Sequence, residues 1–231
     1  MRVGIIAEGK SDLAVITNIL KGKLGVDQSD ISYLVPELEY DQTDLSQMRL
    51  EQFSNWTIVK QNCIDGGKIS NFLENFEGER IIILQIDTAE RPLKGYEVMK
   101  PAKKEDTQAF YEKLIDNIQL KIHEWLNEEY QNNPQVILAI AIEEIEAWIL
   151  TLYAQQNESD TGKYNKAKER LFKVLNQKLT GKKRKILQNQ DAYDQYYELS
   201  KEFRKPKKLL QAMEKNYSLK AFCDSLKPPI H

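Results

Sequence analysis

Met1-Arg-Val-Gly-Ile-Ile-Ala-Glu-Gly-Lys-Ser-Asp12 opens the chain and decides how the rest of it is read. Residues 3–7 form a short apolar run of the kind a buried parallel strand requires. The run stops at Glu8-Gly9. Leu13, Ile16, Ile19, Leu20 and Leu24 then recur at three- and four-residue steps, which predicts a helix. Strand, glycine turn and helix in this order place Glu8 at the carboxyl edge of an α/β sheet, where open sheets of this class hold their chemistry. Asp12, in the first helical turn, is expected to face the same crevice. Capping explains part of the pattern, since Ser11 suits a helix N-cap and Asp12 suits the positive end of the helix dipole. Glu8 has no capping role.

Working outward, residues 31–35 predict a short strand that Pro36 ends. Glu37, Glu39, Asp41 and Asp44 read as a solvated acidic loop, residues 48–53 as a short helical piece, and residues 56–63 as another strand. Asp65-Gly-Gly-Lys68 opens a helix whose apolar face carries Ile69, Phe72, Leu73 and Phe76. Its glycines have neither P-loop spacing nor the dinucleotide fingerprint, and a plain turn is the simpler reading. Arg80-Ile-Ile-Ile-Leu-Gln-Ile-Asp87 is β-branched and nearly uniformly apolar, which predicts a strand buried on both faces and central in a parallel sheet. Residues 91–104, with Pro92, Gly95 and Pro101, read as a loop at the same sheet edge, suited to a lid or a substrate contact. A long helix is expected from about residue 105 to 130, with Phe110, Leu114, Ile118, Ile122 and Trp125 inside and His123 at a surface or interface. Residues 136–142 form a fourth apolar strand running into Glu143-Glu-Ile-Glu-Ala-Trp148, read as a helix start on which Glu143 and Glu146 share a face.

Three strand ends thus deliver carboxylates: Glu8 with Asp12, Asp87 with Glu90, and the group Glu143 to Glu146. Acids brought that close cannot all stay ionised without a cation. Oxygen-only ligands suit Mg²⁺ or Mn²⁺, with water and substrate phosphate in the other positions. No His/Cys set has zinc-ligand spacing, and no Gly-x-Ser-x-Gly elbow or Cys/His arrangement points to a covalent nucleophile. Metal-assisted phosphoryl chemistry is what remains.

A chain of 231 residues with 41% hydrophobic and 29% charged residues is ample for a packed core. It carries no apolar run long enough to cross a bilayer and no secretory segment at its start, so the expectation is a cytoplasmic protein away from membranes. Cys63 and Cys223 are too few for a disulfide framework and read as reduced, partly buried thiols. The net charge of -2 conceals an asymmetry. Residues 1–150 hold 15 Lys+Arg against 26 Asp+Glu, and residues 151–231 hold 18 against 9, so an acidic front half (-11) is joined to a basic tail (+9). In the tail, Lys182, Lys183, Arg184 and Lys185, then Lys205, Lys207 and Lys208, are interleaved with Tyr193, Tyr196 and Tyr197. Such a pattern could hold phosphates and stack bases. The tyrosines read equally as helix-packing residues. A helix is expected within residues 162–179, with Ala167, Leu171, Val174 and Leu175 facing inward.

Glu8-Gly-Lys-Ser-Asp12 after a strand, followed by an apolar strand ending in Asp87, resembles the TOPRIM fold of topoisomerases, primases and OLD-family nucleases. Ile142-Glu-Glu-Ile-Glu-Ala-Trp-Ile149 is similar to a motif in an uncharacterised bacterial TOPRIM-like family near those nucleases. The resemblance covers roughly residues 1–155, leaving residues 156–231 as a basic helical region packed on that domain. It implies an α/β fold with a mostly parallel four-stranded sheet flanked by helices, followed by a C-terminal helical appendage. It assigns Glu8 and Asp87 catalytic roles, with Asp12 as a further acid of the metal site. Where the family's pattern has a second aspartate, position 89 is Ala; the next acid is Glu90, and Glu143 and Glu146 are the other candidates for the missing ligand. The implied activity is a Mg²⁺- or Mn²⁺-dependent nuclease acting on DNA or RNA, in bacterial defence against foreign nucleic acid such as phage. A partner protein such as an ATPase, and a homodimer, are compatible with it. Two other readings stay open: a catalytically degenerate TOPRIM module that only binds nucleic acid, and a phosphotransferase or phosphatase acting on a small molecule.

Overall fold

The computed structural model describes residues 1–37, 55–74, 78–101, 107–154, 158–181 and 192–227. Strands β1 (Arg2–Ile6), β2 (Ile31–Val35), β3 (Arg80–Asp87) and β4 (Val136–Ala141) form one sheet in the order β2-β1-β3-β4. Every pairing is parallel, with Val3 opposite both Ile31 and Ile81, and Leu84 opposite Leu138. The chain steps outward from β1 to β2, then returns across β1 to lay β3 on its other side. The strand order therefore reverses between β1 and β3, and their carboxyl ends frame the crevice where open α/β sheets bind ligands.

Among the described residues the helices are α1 (Lys10–Leu24), α2 (Asn55–Asp65), α3 (Gly67–Glu74), α4 (Thr107–Trp125), α5 (Glu128–Gln131), α6 (Glu146–Tyr153), α7 (Ala167–Lys178), α8 (Ala192–Ser200), α9 (Pro206–Met213) and α10 (Tyr217–Ser225). They lie on both faces of the sheet, which is why its strands are apolar without alternation. Ile82, Leu84 and Ile86 of β3 pack with Trp56, Phe72, Ile118 and Ile122 on one face. Ile81 and Ile83 pack on the other with Val3, Ile5 and α1. That second cluster continues into the C-terminal helices through Trp148, Leu171, Leu199, Phe203, Leu209, Met213 and Phe222.

Helix α1 lies in the middle of this second layer. Nine consecutive residues, Asp12 to Leu20, are buried. A helix buried all round needs a partner on every side, and α8 with the 3₁₀ turn Lys201–Arg204 covers the side that the sheet does not. Polar groups hold this cover in register. Asn18 donates to the Tyr197 carbonyl at 2.9 Å and the Ser200 hydroxyl at 2.7 Å, and accepts from Arg204 Nε at 2.6 Å. At Gly22 the backbone of the turn comes so close that a Cβ would lie 1.9 Å from the Phe203 carbonyl oxygen.

Two sequence expectations are corrected here. Residues 56–63 form the greater part of helix α2 and not a strand. The β-branched run Thr57-Ile58-Val59 suggests extension, yet the buried positions are Trp56, Val59 and Cys63, three and four residues apart, and that helical face is what packs. The helix expected over 105–130 ends at Trp125 and, among the described residues, runs from Thr107, with the short Glu128–Gln131 following as a separate turn. The short helical piece expected at residues 48–53 lies outside the described residues. Both cysteines are buried free thiols. Among the described residues no helix is long and apolar enough to cross a membrane.

Candidate acidic centre at the sheet edge

Glu8 follows β1 and Asp87 ends β3, so the two acids stand on either side of the point where the strand order reverses. They are laced together. Glu8 Oε1 accepts the Asp87 backbone N–H at 2.6 Å. Gln85, fully buried, offers its Oε1 to the Glu8 N–H at 3.1 Å and donates from Nε2 to Asp87 Oδ1 at 2.9 Å. The Ile145 N–H reaches the other Asp87 oxygen at 3.3 Å. Asp12 is buried in the first turn of α1, and Glu146 is buried in the first turn of α6, where its carboxylate accepts the Tyr196 hydroxyl.

Burial and mutual repulsion set the charge state of this group. Burial pushes Glu8 up from 4.5 to about 8; the Asp87 N–H opposes the shift, and the charges of Asp12 and Glu90 add to it. Asp12 rises from 3.8 to about 7, first through burial and then through Glu146, against hydrogen bonds from neighbouring backbone N–H groups and Ser11. Asp87 is raised well above its ordinary 3.8, first by burial and then by repulsion from Asp12, Glu8 and Glu146. Glu146 is also raised by burial, against the pull of the Tyr196 hydroxyl and Lys168. Lys168, largely exposed, is 3.9 Å from Glu146 and offsets little of this. At neutral pH the centre must take up protons or a cation.

Five of the acids singled out by sequence come together here: Glu8, Asp12, Asp87, Glu90 and Glu146. Glu90 adds a buried Oε2 with no hydrogen-bond partner among the described residues. A buried orphan carboxylate oxygen beside other carboxylates is a vacancy for a proton or a cation. Glu143 does not join them. It precedes α6 in the left-handed region (φ 62°), so it shares no helix face with Glu146, and its Oε1 lies 3.0 Å from Lys100 and 3.5 Å from Arg91. Its charge is already neutralised by those two cations.

Among the described residues no three acids close on a single point as a complete protein cage would. Mg²⁺ does not need such a cage, because one or two carboxylates with water and substrate phosphate suffice. The donor set, the repulsion within it and the orphan oxygen of Glu90 all fit a hard divalent cation.

Lys205, Lys207 and Lys208 of the basic tail fall elsewhere. The contact of Gly22 with Phe203 sets Lys205, Lys207 and Lys208 beside the carboxyl end of α1. Asp12 lies ten residues earlier in that helix, about 15 Å along its axis. Lys182, Lys183, Arg184 and Lys185 lie outside the described residues. Tyr193 and Tyr197 serve packing. Tyr193 bonds Tyr33 at 2.6 Å, and Tyr197 receives Lys21 at 3.0 Å and lies under Arg204.

Sequence reasoning missed Gln85, and read Tyr196 as a stacking or packing residue without its bond to Glu146. Gln85 carries a signal, as the one uncharged polar residue in a strand buried on both faces. Tyr196 carries none, because its partner is 50 positions away. Tyr196→Phe is expected to leave the ring's packing intact and cost about 1.5–3 kcal/mol, the usual worth of a hydrogen bond to a charged group. Urea unfolding at pH 8 checks this; an unchanged midpoint would mean the bond does not hold Glu146.

A cavity of about 530 Å³ has Ile142 and Glu143 in its wall. A larger one of about 810 Å³ lies along β4 beside Met1, Ile137 and Phe222, and none of the five clustered acids lines either. Compared with protein-family models, curated proteins and solved structures, the chain matches none of them.

Proposed function

We propose that this protein is a nuclease that hydrolyses phosphodiesters with Mg²⁺ or Mn²⁺. The observation that carries the reading is the lacing of Glu8 to Asp87 across the switch point of the sheet, inside a group of acids that burial alone would leave protonated. Glu8, Asp12 and Asp87 would hold one or two cations, each through one or two carboxylates with water and substrate phosphate in the other positions, and Glu90 and Glu146 would complete the oxygen set. When bound, such a metal activates water and stabilises the charge on the leaving oxygen. The chain's own groups supply the rest. Gln85 and the Ile145 N–H fix both oxygens of Asp87, and Tyr196 fixes Glu146. Glu8 is anchored through Oε1, which leaves Oε2 to exchange a proton. A bound cation would hold the Glu8 carboxylate ionised, and Oε2 is then the oxygen that can take a proton from the attacking water and return one to the leaving alkoxide.

The test is cleavage of plasmid DNA, single-stranded DNA and RNA with Mg²⁺ or Mn²⁺, for the wild type beside Glu8→Gln and Asp87→Asn. Metal-dependent cleavage that disappears in both variants is the expected result. Cleavage that survives both substitutions would remove the acidic centre from the mechanism. If nothing is cut and salt-sensitive binding persists in all three proteins, the chain is a nucleic-acid-binding module instead.

A further inference from the structure

The 530 Å³ cavity is within the usual range for small-molecule sites and has a definite chemistry. Phe110, Tyr111 and Ile142 give it an apolar, partly aromatic side, while Asp160, Lys163 and Asn165 give it a polar rim. The charges around it cancel. Glu143 sits against Arg91 and Lys100, Lys163 is 3.6 Å from Glu158, and Asp160 supplies the third negative charge. A neutral ring with hydrogen-bonding edges suits these walls better than a phosphate does. Asp160 accepts the Tyr111 hydroxyl at 2.7 Å and the Gly162 N–H at 2.9 Å. A carboxylate has about four acceptor positions, so two remain for an exocyclic amine. Aromatic side chains of this kind serve as stacking platforms for bases.

Position ties the cavity to the acidic centre. The Glu143 N–H donates to Thr88 Oγ1 at 2.8 Å, its carbonyl accepts the Ala89 N–H at 3.0 Å, and Ile145 two residues on donates to Asp87. One short segment therefore runs from the cavity wall, at Ile142 and Glu143, to the Asp87 carboxylate, at Ile145. We infer that the cavity receives an unpaired nucleobase from the strand whose phosphate is presented to the acidic centre. The inference rests on the nuclease reading and narrows it, because a base can enter only where it is unstacked and unpaired. Single strands, frayed ends or flipped nucleotides are then the substrates.

Binding of a short single-stranded DNA carrying one 2-aminopurine, followed by fluorescence in EDTA, tests the site without any cleavage. Wild type and Glu8→Gln are expected to bind it with a change in 2-aminopurine emission. The same base held in a duplex should give none. Asn165→Trp, on the exposed rim, fills the opening, and Phe110→Ala removes a stacking face; each is expected to weaken binding about tenfold. Melting curves show whether Phe110→Ala still folds, and the exposed position of Asn165 keeps the test valid if it does not. Equal affinity in wild type and Asn165→Trp, or no emission change with the single strand, overturns the inference. The two readings fail separately. Cleavage without base binding leaves the nuclease and removes the base site, whereas base binding in EDTA without metal-dependent cleavage does the reverse.

Discussion

Glu8→Gln is expected to stabilise the metal-free protein at pH 8 and to lower cleavage by about a hundredfold to ten-thousandfold, the usual span of a lost general acid or base. The stability side follows from linkage. Glu8 has an ordinary value of 4.5 and is pushed up to about 8 in the fold, chiefly by burial. Below 4.5 the group is protonated in both folded and unfolded chains and costs nothing. Between 4.5 and 8 the folded state keeps a proton that the unfolded state has released, so stability falls as pH rises. Above 8 the full penalty is present. Asp12 behaves the same way over the window from 3.8 to about 7. Without divalent cation the wild type should therefore melt progressively lower from pH 5 to pH 8. Each pKa unit is worth about 1.4 kcal/mol, and about 1 kcal/mol moves the melting temperature of a chain this size by about 2–4 °C. Glutamine can still accept the Asp87 N–H through Oε1 and carries no charge, so the slope should flatten in the variant. Asp87→Asn is a poorer stabiliser, because both Asp87 oxygens accept hydrogen bonds and an amide nitrogen cannot. Mg²⁺ should restore wild-type stability at pH 8 and do less for Glu8→Gln. Thermal melts across pH, with Mg²⁺ and with EDTA, decide it; a metal-free wild type whose melting temperature is flat or rising from pH 5 to pH 8 would refute the electrostatic account.

Gly22→Ala is expected to destabilise the protein by about 2 kcal/mol or more, within and above the usual range for overpacking. Two effects compete. Alanine is the better helix former by about 1 kcal/mol. Against this, its Cβ would lie 1.9 Å from the Phe203 carbonyl oxygen, 2.9 Å from the carbonyl carbon and 3.1 Å from Arg204 Cα. These are backbone atoms, so no rotamer change relieves the overlap. The turn Lys201–Arg204 would have to lift, carrying the fully buried Phe203 out of the core and pulling Arg204 from Asn18. The packing term wins, and a fall in melting temperature of about 4–8 °C is expected. The substitution lies at the far end of α1 from Asp12, so cleavage measured well below the transition should be nearly normal. An alanine variant as stable as the wild type would show that the turn does not sit where it is described.

Much of this was legible in the chain. Residues 80–87 specify a central strand by composition alone, and the strand-end rule puts Glu8 and Asp87 at one sheet edge. What escaped depended on partners distant in sequence or on a single backbone dihedral. Residues 56–63 carry a β-branched trio, and only the packing of Trp56, Val59 and Cys63 against the sheet makes them helical. Glu143 looked like a first-turn acid. One left-handed residue, uncommon outside glycine, turns it towards Arg91 and Lys100 instead. The charge count told that the tail is basic but not that Lys205, Lys207 and Lys208 flank the opposite end of α1. Asn18 and Tyr196 had no local signature at all.

The grip of Asn18 on Tyr197, Ser200 and Arg204 joins residues 179 to 186 positions apart. Synthesis proceeds at about 5–20 residues per second, so roughly ten to forty seconds separate the appearance of the two sides at the ribosome. During that interval the apolar positions of α1 have one flank uncovered, because Tyr196 and the turn that follows it have not yet been made. The hydroxyl that holds Glu146 is therefore added only as the last third of the chain closes over the first helix. A nascent chain of this design keeps one flank of α1 open to other apolar surfaces until its last third is made.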